Sequence, residues 1–114
     1  MPERDERLYL DDIVHAIDRV LTYTSDGRDA FFADPRTQDA VIRNLEIVGE
    51  AIRGVSPHTR DAHPDVPWKQ IAGTRDRVIH GYFTVDLEIV WEIVEKELME
   101  LRRRIVAILE SGLS

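Results

Sequence analysis

Within eight residues the chain gathers Arg75, Asp76, Arg77, His80 and Tyr82, between Gly73 and Phe83. Such a set can cut RNA without a metal. A base must take the ribose 2′-OH proton, an acid must protonate the leaving 5′-oxygen, and a cation must hold the phosphate. Histidine suits the proton transfers because imidazole exchanges protons near neutrality. Arginine suits the phosphate because its planar donors converge on two oxygens. His80 and Arg75 therefore form a competent minimal pair, with Arg77 as an auxiliary cation and Asp76 as a group that orients one of them. The bland alternative is a surface arginine and a helix-terminal histidine favoured by the helix dipole.

The elements that must position these groups are helices. Leu10, Ile13, Val14, Ile17, Val20 and Leu21 recur at threes and fours, which predicts an amphipathic helix from about Asp5 to Tyr23. Thr24-Ser25-Asp26-Gly27 ends it with turn chemistry. Arg28 to Ala33 makes one helical turn, bringing Phe31 and Phe32 to the core. Asp34-Pro35 supplies an N-cap carboxylate and a first-turn proline, opening a second helix to about Gly54. Gly49 in its middle costs roughly 1 kcal/mol against alanine, so close packing there is expected. Ser56 is placed to cap a short helix over 57–62.

Pro67 opens a third helix, packed through Trp68, Ile71, Ala72, Val78 and Ile79, with Gly81 as its left-handed terminator. A last helix of about six turns, capped by Asp86 or Thr84, packs through Leu87, Val90, Trp91, Val94, Leu98, Leu101, Ile105 and Ile108. No alternating strand pattern competes. The fold predicted is all-α: an antiparallel bundle of four main helices with an extra short turn, as one domain over 1–114. On a single helix, five residues at about 100° each set Arg75 and His80 roughly 140° apart. Arginine's reach, fraying at Gly81, or a second copy across a two-fold axis would bring them together, so a homodimer with a composite cleft is expected.

Composition narrows the classes. The net charge of −7 excludes a generally basic nucleic-acid surface, leaving room only for a local site. Thirteen of the fifteen basic residues are arginine, the better phosphate fork. There is no cysteine, hence no disulfide framework or thiolate metal site. No apolar run can span a bilayer, and the charged Met1–Arg7 segment lacks a secretory pattern, so no membrane partner and a cytoplasmic location are expected. His58, Asp61 and His63 lie in a proline-rich stretch and read as surface residues; no metal and no cofactor are expected. Glu46 and Glu50 read as salt-bridge partners of Arg43 or Arg53, the Arg102-Arg103-Arg104 run as a solvated helix end, His15 as a partly exposed residue, and Trp68 and Trp91 as core.

Arg75, four residues, His80, one residue and Tyr82 resemble the R-x4-H-x-Y signature of HepT-like toxins in the HEPN nuclease superfamily. The likeness extends to Arg43-Asn44-Leu45-Glu46-Ile47-Val48-Gly49-Glu50-Ala51, to Val66-Pro67-Trp68 and Ile71-Ala72-Gly73, and to Asp86-Leu87 through Trp91. The resemblance implies a HEPN-like fold and a dimeric, metal-independent endoribonuclease toxin whose cleft lies at the dimer interface. Arg75 and His80 would be catalytic, and Asp76 would fill the polar position after the arginine. It also implies an MNT-type nucleotidyltransferase antitoxin that silences the toxin by transferring AMP from ATP to Tyr82. A competing expectation is a non-catalytic helical binding module, or the substrate subunit of a nucleotidyltransferase.

Overall fold

The computed structural model describes residues 5–80 and 84–112, and among these the fold is helical. The first helix, α1, is Glu6–Tyr23. The Asp5 carboxylate accepts from the Arg7 N–H at 2.9 Å and starts it. At its other end the Thr24 hydroxyl donates to the Val20 carbonyl at 2.8 Å, and Gly27 then turns the chain at φ 94°. The short α2, Arg28–Ala33, buries Phe31 against Trp91, ring centroids 5.4 Å apart.

Helix α3 is Pro35–Ile52. Asp34 opens it as its sequence foretells, accepting from the Arg36 N–H at 3.0 Å and from the Thr37 hydroxyl at 2.8 Å. The mid-helix glycine lies under the next layer of chain, with room for a methyl group and little more. A Cβ at Gly49 would stand 3.4 Å from the Ile71 carbonyl oxygen, so the next layer of backbone lies directly over it. Helix α4, Pro57–Ala62, is capped by the Ser56 hydroxyl, which accepts from the Thr59 N–H at 3.2 Å.

The third helix departs from expectation. Instead of one helix from Pro67 to Gly81 there are two short ones, α5 (Trp68–Ala72) and α6 (Thr74–Val78), jointed at Gly73. The Thr74 side chain helps make the joint, its hydroxyl donating to the Ile71 carbonyl at 2.7 Å. After Val78 the chain is extended. Strand β1, Ile79–His80, pairs antiparallel with β2, Thr84–Val85, in the register Ile79 with Val85 and His80 with Thr84. The Asp86 N–H donates to the Val78 carbonyl at 2.7 Å and closes the ladder. The expected last helix is likewise divided, into α7 (Leu87–Lys96) and α8 (Leu98–Glu110), with a one-residue break at Glu97. Asp86 caps α7, accepting from the Ile89 N–H at 3.1 Å.

The core is one continuous apolar cluster from α1, α3, α7 and α8, with Ile13, Ile17, Val41, Ile52, Val90 and Ile105 wholly removed from solvent. Each such side chain is worth about 1.5–3 kcal/mol of burial. Helix α1 packs most extensively on α3 and then on α8, while α5 and α6 lie across α3. Trp68 and Trp91 are core, as expected. No described helix is long and apolar enough to cross a membrane.

Candidate functional site

The Gly73 joint decides what the arginines do. Helix α6 is a single short turn of chain that leaves Arg75 and Asp76 exposed and Arg77 half-buried. Arg77 is fully engaged: its guanidinium forks onto Glu97, with Nη1 to Oε1 at 2.9 Å and Nη2 to Oε2 at 2.7 Å. That hydrogen-bonded carboxylate raises the arginine's pKa further above its ordinary range. Arg77, expected as an auxiliary cation of the site, is held as a brace between α6 and the α7–α8 junction.

Arg75 is placed differently. It has no hydrogen-bonding or ion-pair partner among the described residues, and it lines a groove of about 470 Å³ over α1, α3 and the α5–α6 pair. Tyr9, Arg43, Glu46, Gly49 and Glu50 share that lining. Arg43 also has no polar side-chain partner among the described residues. Arg53 meets Glu50 only at 4.0 Å, at the surface, so the expected pairing of the helix's acids is loose.

His80 stands on β1, with its side chain 54% exposed and its Nε2 3.9 Å from Asp86 Oδ2. Because α6 ends at Val78, Arg75 and His80 do not share a helix, and the expected angular offset around one axis does not apply. His80 takes its direction from strand pairing with Thr84. The described lining of the Arg75 groove does not include His80. Asp76 is exposed on the first turn of α6. Gly81, expected as a helix terminator, and Tyr82, expected to be modified, lie outside the described residues.

The three arginines of the C-terminal run are occupied. Arg102 bonds Asp18 across α1 and α8, with Nε to Oδ1 at 2.6 Å, and holds that carboxyl below the usual range. Arg103 pairs with Glu100, and Arg104 with Asp65 and Glu100. The triple-arginine run is thus a chain of ion pairs. Among the described residues no group of three or more His, Cys, Asp or Glu side chains could hold a metal ion. His58 and Asp61 are exposed on α4, while the His63 carbonyl accepts from the Trp68 indole at 3.0 Å. The neighbour that sequence reasoning missed is Asp86, read only as a helix cap. Thr84-Val85 is too short an alternation to announce a strand that folds Asp86 back onto His80.

The chain is thus a helical bundle that leaves an arginine and a histidine exposed on one R-x4-H segment. The Ribonuclease HepT-like family matches residues 13–108, and the chain belongs to it. It is 38% identical over 101 residues to a probable ribonuclease HepT of Thermococcus cleftensis, covering 88% of this chain and 92% of that protein. A candidate RNase of Methanocaldococcus jannaschii is 42% identical over 95 residues, 82% of this chain and 78% of the relative. A second protein of that organism, named as a gamma-glutamylcyclotransferase and candidate RNase, is 41% identical over 108 residues, 94% of this chain. There the chain spans about half of the relative, 49% of its length. No solved structure matches the chain significantly.

Proposed function

We propose that this chain is the endoribonuclease toxin of a toxin–antitoxin pair, cutting RNA without a metal by attack of the 2′-OH on the neighbouring phosphate. A base, His80 of one copy, takes the 2′-hydroxyl proton, and the 2′-oxygen bonds to phosphorus. The bond from phosphorus to the 5′-oxygen then breaks as an acid, the second copy's equivalent imidazole, protonates the leaving oxygen. The products are a 2′,3′-cyclic phosphate and a 5′-hydroxyl. Arg75 holds the phosphate through the transition state, and Asp76 orients it. The two copies face each other across a two-fold axis and share the cleft.

The observation that carries this reading is the contrast within one turn of helix, set in a chain of a ribonuclease family. Arg77 is fixed to Glu97, whereas Arg75 keeps its whole guanidinium for an incoming anion. An MNT-type nucleotidyltransferase is the proposed antitoxin. The Tyr82 hydroxyl attacks the α-phosphorus of ATP, the bond to the bridging oxygen breaks, and pyrophosphate leaves. The added AMP sets negative charge and bulk two residues from His80, repelling RNA.

The test is cleavage of RNA by purified chain, with Arg75→Ala and His80→Ala beside it. Loss of cutting in both, with unchanged melting and dimer mass, is the expected result; cutting at the unsubstituted rate overturns the proposal. The net charge of −7 favours one rival, a binding module that serves as a nucleotidyltransferase's substrate subunit. Tight binding to the transferase by an unmodified chain that cuts no RNA is its signature.

A further inference from the structure

Asp86 divides its two carboxylate oxygens between two tasks. Oδ1 accepts from the Ile89 N–H at 3.1 Å and starts α7. Oδ2 stands 3.9 Å from His80 Nε2. The approach is built into the backbone. The register of β1 and β2 sets His80 opposite Thr84, and the Asp86 N–H is fixed to the Val78 carbonyl at 2.7 Å. Nearby Arg28 is already paired with Glu88, so it does not compete for this carboxylate. A carboxylate whose other oxygen is pinned by a helix cap is held in place, unlike one on a swinging surface side chain.

We infer that Asp86 is the positioning residue of His80, its Oδ2 selecting the tautomer in which Nε2 carries the hydrogen and Nδ1 is the bare nitrogen that exchanges protons with RNA. The inference rests on the reading of His80 as the proton-transfer group. A carboxylate beside one ring nitrogen favours the hydrogen on that nitrogen and leaves the other as acceptor. At 3.9 Å the contact is an ion pair only once the imidazole is protonated and is longer than a hydrogen bond; a closure of about 1 Å as substrate seats makes the hydrogen bond direct. When Nδ1 takes the 2′-OH proton, the imidazolium faces an anion already in place. Asp86 itself touches no RNA.

Two substitutions separate this role from the cap. Asn and Ser cap helices about as well as Asp, so Asp86→Asn and Asp86→Ser both keep α7. The first removes the charge and the second also withdraws the reach to His80. The measurements are kcat and KM on a short mixed-sequence RNA carrying a fluorophore and quencher, and the ring-nitrogen NMR shifts of 15N-histidine-labelled full-length chain, with His80→Ala identifying the signals. The expected result is a fall in kcat of about ten- to a hundredfold in both variants, KM within twofold, unchanged melting, and loss of the Nε2–H bias at His80. Unchanged kcat and tautomer shifts in both variants overturn the inference while leaving His80 in place, provided His80→Ala is inactive. If His80→Ala still cuts RNA, the reading of the site falls and this role falls with it.

Discussion

Replacing Arg77 by methionine should cost stability and reduce cleavage without abolishing it, the reverse of replacing Arg75. The Arg77–Glu97 fork has two short bonds, and its side chains are 28% and 31% exposed. It lies between two measured classes: exposed pairs give at most about 1 kcal/mol, while hydrogen bonds to charged groups give about 1.5–3 kcal/mol. Partial exposure trims the upper figure, so Arg77→Met should lower the unfolding free energy by roughly 1–2 kcal/mol. For a domain of this size that is about 4–8 °C in Tm. Methionine keeps most of the stem's packing, so the loss isolates the fork. Urea melts of Arg77→Met, Glu97→Gln and the double variant should give a coupling energy near 1 kcal/mol, shrinking in high salt. Arg75→Ala, removing an exposed group with no partner among the described residues, should leave the melt unchanged and abolish cleavage. A destabilised Arg75→Ala beside a fully stable but inactive Arg77→Met would refute the division of labour between them.

Gly54→Ala should destabilise by about 1–3 kcal/mol, because a Cβ there would meet the Tyr9 ring at 2.4 Å; urea melts measure the cost, and a changed Tyr9 ring signal in NMR shows the displacement. Gly49→Ala should be neutral or mildly stabilising, since its Cβ would sit 3.4 Å from the Ile71 oxygen and alanine gains about 1 kcal/mol of helix propensity, whereas Gly49→Leu should lower Tm. The Arg102 hydrogen bond depresses the Asp18 carboxyl below its ordinary 3.8, so its stabilising contribution is complete above that value and disappears as pH falls through the lower, folded one. Melting curves in acid should therefore fall less steeply for Asp18→Asn than for the parent chain, and equal slopes would count against the pairing.

Much of the architecture could be read from the residues. The periodicity of α1 and α3, the Asp34-Pro35 start and the Ser56 cap are local signals, and local signals survive folding. What escaped reading was decided at a distance. Nothing near Arg75 and Arg77 tells which of them is tied down, because the deciding carboxylate, Glu97, is twenty residues on. The ladder of Ile79–His80 with Thr84–Val85 has two residues a side, too few for any period to show. Gly73 and Thr74 looked compatible with a continuing helix; the packing of α5 against Gly49 on one side and the Arg77 fork on the other made a joint of them. Within the candidate site, residue types were legible and their surroundings were not. His80 was identified, but its companion Asp86 required the strand.

Glu97 is both the one-residue break between α7 and α8 and the residue to which Arg77 is fastened. One position therefore serves two elements: the break that divides α7 from α8 also anchors the short helix that presents Arg75. A relative with a different residue at this break would have to re-anchor that helix by other means. Surveying position 97 by saturation substitution would show how far the break between α7 and α8 and the anchoring of α6 can be tuned apart.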